Sequence, residues 1–273
     1  MAADATAPVV LVRGSGDVGS AVAHLLVRSG YAVVLHDVDK PTAPRRGMAF
    51  TDAIFDGSAE LEGVTARRVD DIVALAEAAC GATPCVTTSG LGFVLAAVQP
   101  AALVDARMRK REEPEVQIDL APLTIGLGPG FVAGQTTHLA VETQWGASLG
   151  EVLTAGATLA LGGEPRSFDG HARDRFVYAP AAGILRTDAA IGDRVAAGDV
   201  VATIGDEQLA APLDGILRGL THDGVPVTRG LKVLEVDPRG DPAKIAGIGE
   251  RPRRIAEGVL AALRSSAGPG ARA

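Results

Sequence analysis

Apolar runs and helical apolar patterns alternate along the first half of the chain. Val9 to Val12 is a short apolar run with the length and branching of a buried strand, and a second strand is predicted from Tyr31 to His36. Between them, apolar residues recur at helical spacing at Ala21, Val22, Leu25 and Leu26. The same reasoning predicts a helix over 71–79 and strands at 83–88, 102–105, 123–125 and 136–143. This alternation predicts a wound α/β sheet in the N-terminal part.

A glycine-rich loop joins the first predicted strand to the first predicted helix. It reads Gly14-Ser15-Gly16-Asp17-Val18-Gly19, and Asp37 follows the second strand. In this setting the glycines let the backbone approach a pyrophosphate and let helix and strand pack closely, while the helix N-terminus faces the anion. An acidic residue at the position of Asp37 can hold a ribose hydroxyl. The pattern predicts a Rossmann-like unit with a phosphate or dinucleotide site.

Two charged features bear on that predicted site. The carboxylate of Asp17 would crowd a pyrophosphate unless a cation or a hydrogen-bond donor offsets it. Downstream, Lys40, Arg45 and Arg46 form a basic cluster that could bind an additional phosphate. A solvated loop is the alternative interpretation of these three residues.

A second set of candidates follows the later strands of the predicted sheet. Asp105 ends a strand, which is where ligands bind in open α/β sheets. Gly126-Leu127-Gly128-Pro129-Gly130-Phe131 forms a turn with exposed amides suited to an anion, and we expect it beside the first glycine loop. In the next strand His138 and Glu142 share a face. They could perform acid–base chemistry or form a hydrogen-bonded structural pair.

An internal repeat occupies the C-terminal half. Residues 179–204 align without a gap on 211–236, at a constant offset of 32, with ten of 26 positions identical. Neither unit can bury its face alone, so the two are expected to interlock into a flattened β-barrel. The pattern resembles the lipoyl/biotinyl barrel-sandwich hybrid. The link at 205–210 contains no lysine, so we expect no covalent biotin or lipoate and interpret the module as a scaffold.

Three regions follow from these patterns. Residues 1–165 are predicted to form a Rossmann-like α/β ligand-binding domain, and residues 166–240 the duplicated β module. Residues 241–273 are predicted to form a helix and a tail that pack back on the first domain. The apolar stripe of that helix consists of Ile255, Val259, Leu260 and Leu263.

Composition and charge exclude several classes of protein. The 273 residues are 47% apolar and 22% charged, which excludes wholesale disorder, and the 34 glycines lack the period of a collagen-like fibre. Only six Phe, two Tyr and one Trp are present, and the net charge is −7, which argues against nucleic-acid binding.

The chain also lacks the signals of secretion and membrane insertion. No run approaches the roughly 18 apolar residues that span a bilayer, and the N-terminus lacks the basic segment and apolar core of a signal peptide. Cys80 and Cys85 are too few for a disulfide framework, and no His or third Cys accompanies them, so no metal site is predicted. These features predict a cytoplasmic protein that contacts no membrane.

Taken in order, the motifs resemble those of the accessory proteins of the selenium-dependent molybdenum hydroxylase system. The resemblance extends from about Val9 to Leu263 and is specific only in combination. It rests on Arg13 to Asp17, Lys40-Pro41 with Arg45-Arg46, Val104 to Ala106 with Lys110-Arg111, Ile118-Asp119 with Ala121-Pro122, Gly126 to Phe131, Glu142-Thr143, Asp237 to Gly240 and Gly258 to Leu260. Ser15 stands where the family usually has glycine.

The resemblance implies a maturation factor that handles or inserts a phosphate-bearing molybdopterin-type cofactor. Its partners would be a molybdenum hydroxylase client and other maturation factors, and a homo-oligomer is left open. The resemblance assigns no catalytic residue. Two alternatives remain: an NAD(P)-dependent oxidoreductase with His138 or Lys110 as proton donor, and a non-catalytic scaffold whose Rossmann site is empty.

Overall fold

A computed structural model of the chain describes residues 7–79, 81–109, 112–160, 162 and 165–266. Helices α1 to α5 span Asp17–Arg28, Ala53–Asp56, Ile72–Ala78, Leu91–Val98 and Glu250–Ser266. Strands β1 to β11 span Val9–Arg13, Ala32–His36, Ser58–Leu61, Val64–Arg68, Cys85–Thr87, Ala102–Asp105, Thr124–Leu127, Val132–Ala133, Leu139–Val141, Val152–Leu153 and Gly156–Ala157. Strands β12 to β19 span Phe176–Tyr178, Gly183–Arg186, Arg194–Val195, Val200–Ile204, Glu207–Ala210, Gly215–Leu220, Pro226–Val227 and Lys232–Asp237. Cys80, Lys110 and Arg111 lie outside the described residues.

The largest sheet is mixed. Within the described residues it has nine strands in the order β10-β9-β7-β6-β1-β2-β5-β4-β3. The inner strands from β9 to β4 pair in parallel, while β10 and β3 pair antiparallel at the two edges. The carboxyl ends of the parallel strands therefore meet along one edge of the sheet, which is where the glycine loops begin.

Apolar side chains cover both faces of this sheet because successive residues of a strand point to opposite sides. Val10 and Val12 pack with residues of α1 and α5 on one face. Leu11 packs with α3 and α4 on the other face. Helix α5 approaches the sheet closely at Gly258, where a Cβ atom would lie 2.3 Å from the carbonyl oxygen of Gly150. The last helix of the chain thus completes the layer that α1 begins.

The duplicated segment forms two antiparallel sheets, each of four strands within the described residues, in the orders β12-β19-β17-β14 and β16-β15-β13-β18. The two copies exchange their short strands: β14 of the first copy pairs with β17 of the second, and β18 of the second pairs with β13 of the first. A separate apolar core lies between these sheets, with Leu185, Leu217 and Val233 fully buried.

The predicted fold class, a Rossmann-like wound sheet followed by a barrel-sandwich hybrid, is wrong. The large sheet is mixed rather than doubly wound, because an antiparallel hairpin of β3 and β4 precedes β5 and no α-helix joins β6 to β7 within the described residues. Helix α5, from the far end of the chain, covers the face that crossover helices would have covered. In the second part, β12 and β16 add edge strands that the repeat does not contain, so two four-stranded sheets replace the predicted barrel.

No helix in the described part of the chain is both long enough and apolar enough to cross a membrane.

Candidate functional site

The first glycine loop lies at the carboxyl end of β1 and is closely packed. Gly14 has a φ of +105°, and a Cβ atom there would lie 2.9 Å from the carbonyl oxygen of Ala106. At Gly19 a Cβ atom would lie 1.9 Å from the carbonyl oxygen of Gly14. Gly16 has open space beside it, the nearest atom being 3.9 Å from a built Cβ. Two of the three glycines are therefore required by the approach of α1 to the strand ends.

Asp37 holds this loop from the end of β2. The backbone N–H and the hydroxyl of Ser15 both donate to Oδ2 of Asp37, each at 2.7 Å, and the N–H of Val38 donates to Oδ1 at 2.8 Å. Ser15 itself is fully buried. The carboxylate predicted for a ribose hydroxyl is thus already bonded within the protein, and it sets the conformation of the loop.

Replacing Asp37 with Ala should lower the free energy of unfolding by about 1–3 kcal/mol, because the buried N–H and hydroxyl of Ser15 would lose their acceptor. Urea unfolding measures this change. Asp39→Ala is the matched control, since Asp39 is exposed and pairs only loosely with Arg68, at 3.5 Å. Equal and small effects of the two substitutions would contradict the role given to Asp37.

Asp105, at the end of β6, is enclosed by a polar network. Gln117 donates to its Oδ2 at 2.7 Å, and Arg107 donates from Nε to its Oδ1 at 2.9 Å. Arg13, its neighbour on β1, donates to Gln117 at 2.5 Å and to Glu115 at 3.0 Å. Burial and the nearby Arg107 lower the pKa of the Arg13 guanidinium. Asp105 is therefore bonded to protein groups that hold the strand ends together.

The three predicted basic residues bind different groups in the C-terminal part of the chain. Lys40 donates to the carbonyl of Gly224 at 3.3 Å. Arg46 donates to the carbonyl of Leu220 at 2.8 Å and pairs with Asp52 at 2.7 Å. These contacts join the segment after β2 to the duplicated region. Lys40 and Arg46 therefore do not belong to one phosphate-binding site. Only Arg45 turns toward the first glycine loop.

The second glycine loop lies near the first. The ring of Phe131 fills the space of a side chain at Gly126, where a Cβ atom would lie 2.2 Å from the ring. Gly128 and Gly130 have φ values of +111° and +85°, and Thr158 donates to the carbonyl of Gly128 at 2.7 Å. Met108 lies against Gly128, while its neighbours Ala106 and Arg107 lie against Gly14. The segment 106–108 therefore runs between the two loops.

His138 and Glu142 are bonded separately. Nδ1 of His138 accepts from the N–H of Thr124 at 3.1 Å. Glu142 is buried and accepts three backbone N–H groups, two at 2.7 Å and one at 2.8 Å. His138 joins its segment to the start of β7, whereas Glu142 holds the backbone that follows it, and the two side chains share no hydrogen bond.

A large cluster of charged side chains was not predicted from the sequence. We call it the Glu235 cluster, and its members are joined by ion pairs: Asp17, Arg45, Arg175, Arg218, Lys232, Glu235, Asp237 and Arg239. Arg45 connects the two parts of the protein, because it donates to Glu235 at 2.8 Å and to Asp17 of α1 at 3.1 Å. Asp17 thereby receives the cation that the sequence requires beside it.

Glu235 is the centre of this cluster and is fully buried. Arg175 and Arg45 donate to it, and Lys232 does so at 2.9 Å. Although burial alone would raise the pKa of Glu235, Arg45 and Lys232 hold it well below its usual range. Asp237 accepts two hydrogen bonds from Arg239, at 2.8 and 2.5 Å. Both carboxylates are thus ionised and hydrogen-bonded to neighbouring cations.

Two aromatic rings line the cluster. The guanidinium carbons of Arg175 and Arg239 lie 4.4 and 3.8 Å from the ring centroid of Phe168. The ammonium of Lys232 lies 4.3 Å from the centroid of Phe176. These rings add to the ion pairs of the three cations, since a ring face attracts a desolvated positive charge.

The cluster carries more positive than negative charge. Among the described residues it contains five cations and three carboxylates. Burial and the charge of Arg45 lower the pKa of Lys232 to about 8 and that of Arg218 to about 10. The Nε atoms of Arg175 and Arg218 are buried without a hydrogen-bond partner. This arrangement favours the binding of an anion.

The low pKa of Lys232 predicts a pH dependence of stability. Its pKa falls from 10.5 to about 8 on folding, with Arg45, Glu235, Asp17 and the Phe176 ring facing the amine. The unfolded chain then binds more protons between these pH values, so the free energy of unfolding should rise by about 2 kcal/mol from pH 8 to pH 10. The measurement is the difference between the protein and its Lys232→Met variant. A flat difference over this range would contradict the low pKa.

The comparison with curated proteins gives one match. The chain is 40% identical over 256 residues to an uncharacterized protein, YqeB, of Escherichia coli strain K12. The alignment covers 93% of this chain and 47% of the relative, so the chain spans about half the length of the curated relative it matches. No family model matches the sequence.

Solved structures resemble the chain only distantly. They include the ectoine utilization protein EutE (DoeB) from Ruegeria pomeroyi, a succinylglutamate desuccinylase/aspartoacylase from Rhodobacter sphaeroides and an aspartoacylase family protein from Mesorhizobium loti. In the order given, the sequence identities are 13, 13 and 12%, and the TM-score is 0.24 in each case. Each match covers 85% of this chain, and the matches cover 85, 86 and 85% of the respective structures. None of the three is described as a Rossmann-like protein or a barrel-sandwich hybrid, the two fold terms that the sheet topology corrects. None is described as a molybdenum-cofactor maturation factor either, so these neighbours lend that function no support.

Proposed function

We propose that the protein is a cytoplasmic accessory factor of a molybdenum hydroxylase and that it binds a phosphate-bearing cofactor of the molybdopterin type. The ordered motifs from Val9 to Leu263 point to the client and to other maturation factors as partners. The proposed place of binding is the N-terminus of α1, between the loops at Gly14 to Gly19 and Gly126 to Gly130. No residue is assigned a catalytic role.

One observation carries this proposal: the N-terminus of α1 meets a cluster with excess positive charge. Asp17 opens the helix, and Arg45 links it to Glu235. Backbone N–H groups and cations at the same place are the two features that stabilise a bound phosphate. The two glycine loops lie close together, because the segment 106–108 contacts both of them. We therefore place one ligand at this edge of the sheet.

The contacts of two other predicted residues favour this proposal over an NAD(P)-dependent oxidoreductase. Asp37, which would hold the ribose, is bonded to Ser15. His138, the candidate proton donor, is bonded to Thr124, and Lys110 lies outside the described residues.

Mass spectrometry of small molecules that co-purify with the protein tests the proposal first. We expect a pterin that carries a phosphate. Calorimetric titration with a molybdopterin-type cofactor should then show binding to the protein and to Gly92→Ala, whose site is exposed and open. Gly19→Ala, which displaces the loop, should abolish it.

Absence of a co-purifying pterin together with absence of calorimetric binding would overturn the proposal. Turnover of NAD(P)H with a small carbonyl substrate would replace it with the oxidoreductase alternative.

A further inference from the structure

The Glu235 cluster is partly exposed to solvent at the start of α1, and we call this exposed part the opening. Asp17, Arg45 and Lys232 are each about a quarter exposed, at 25, 26 and 26%, whereas Glu235 beneath them is fully buried. These three side chains therefore form the part of the cluster that a molecule in solution can reach.

A fourth group, Arg251 at the start of α5, lies close enough to Asp17 and Arg45 for their charges to act on it. Its Nε donates to the carbonyl of Thr143 at 2.6 Å, and no carboxylate among the described residues forms an ion pair with it. Burial lowers the pKa of Arg251, and the charged groups that act on it are Asp17, Arg45 and the buried Glu142. The opening thus contains three cations and one exposed carboxylate.

The Glu235 cluster also contains buried donors without acceptors. The side chains of Arg175 and Arg218 are 2% and 9% exposed, and the Nε atom of each has no hydrogen-bond partner. A buried donor without a partner is costly, and so is a buried charge without compensation. An anion at the opening reduces the second cost, because it supplies the negative charge that the cluster lacks.

We propose that Arg45, Lys232 and Arg251 form a binding site for a tetrahedral oxyanion that carries two negative charges. Two charges match the excess of cations, because the Glu235 cluster together with Arg251 and the buried Glu142 has six cations and four carboxylates. A tetrahedral ion suits cations that arrive from three directions, namely the segment after β2, strand β19 and helix α5. The phosphate group of an organic ligand and free molybdate share this chemistry.

This inference rests on the proposed function for the identity of the anion. The anion is either a phosphate group of the cofactor or the oxyanion of the cofactor's metal. Lys232 and Arg251 extend the binding place given under the proposed function, because neither residue belongs to the glycine loops. They come from the C-terminal third of the chain, so the site requires α5 and the sheet of β19 to be docked on the N-terminal part.

Calorimetric titration with inorganic phosphate, and separately with molybdate, tests the site in a chloride buffer of low ionic strength. Lys232→Met and Arg251→Met should each weaken binding about tenfold or more, since each removes one charged contact. The matched controls are Lys244→Met and Arg253→Met, which remove exposed cations, the second of them on the same helix α5. They should leave the affinity unchanged. Thermal unfolding of each variant establishes that it is folded.

The relative affinities identify the source of the anion. Molybdate binding that is at least tenfold tighter than phosphate binding would identify the oxyanion as molybdate, and equal or tighter phosphate binding would identify it as a phosphate group. Failure of both anions to bind, or equal affinities in all four variants, would overturn the site.

The two proposals fail in different ways. If the molybdopterin-type cofactor binds and Lys232→Met and Arg251→Met leave its affinity unchanged, the anion site is wrong and the proposed function stands. If phosphate binds as described but the cofactor does not, the proposed function is wrong and the anion site stands.

Discussion

Replacing Glu235 with Gln should lower the free energy of unfolding by about 3–5 kcal/mol, because it leaves buried cations without their shared carboxylate. Glu235 is fully buried and accepts from Arg45, Arg175 and Lys232. An amide has nearly the same shape but no charge, and its NH₂ group would face these cations. Urea unfolding at pH 7 measures the change.

The control for this substitution is Glu207→Gln. Glu207 lies in a strand as Glu235 does, but it is exposed on β16. We expect its effect to stay within about 0.5 kcal/mol. If the two substitutions cost the same, Glu235 does not hold the cluster together.

Replacing Gly19 with Ala should destabilise the protein by about 2–3 kcal/mol and displace the glycine loop. The new methyl group would lie 1.9 Å from the carbonyl oxygen of Gly14, which belongs to the backbone and cannot rotate away. The helix must therefore move from the strand ends, at an overpacking cost that exceeds the intrinsic preference of helices for Ala. The free energy of unfolding and the chemical shifts of the loop amides report the two effects.

Gly92→Ala gives the opposite sign and is the matched control. Gly92 also lies in a helix, α4, but no atom lies within 4 Å of a Cβ built there. Here only the helix preference acts, and stability should increase by about 0.5–1 kcal/mol. A stabilising effect of Gly19→Ala as well would show that α1 does not depend on that close approach.

The sequence predicts the local features of the sheet well, because spacing alone determines them. The loops at Gly14 to Gly19 and Gly126 to Gly130 follow strands β1 and β7, and the glycines at 14, 19 and 126 are required by close contacts. Asp71 caps α3 through its bond to the N–H of Ala74, at 2.8 Å. These features depend on residues that are near each other in the chain.

The arrangement of the whole sheet could not be predicted in the same way. Strands β9 and β10 have three and two residues, too few for a period-two pattern to be recognised. Helix α5 belongs to the layer of α1 although more than 200 residues separate them. When these elements are not recognised, the remaining alternation of strands and helices in the sequence indicates a wound sheet.

The Glu235 cluster was missed because its members come from distant positions. The internal repeat shows the difficulty: Arg186 and Arg218 occupy equivalent places in the two copies. Arg186 is exposed and pairs with Asp223, whereas Arg218 is buried beside Asp237. Packing against the N-terminal part makes the difference, and nothing within the repeat indicates it. The motif at Asp237 to Gly240 was the available signal.

The most direct test of this account is the pKa of Lys232, measured by NMR of its labelled ammonium group with and without inorganic phosphate. Burial of the amine, together with the nearby charge of Arg45, predicts a pKa of about 8 in the free protein. A bound dianion should raise it toward 10.5, the value of an unperturbed lysine, and the protein should take up protons as it binds. A pKa near 10.5 in the free protein, unchanged by phosphate, would contradict the account.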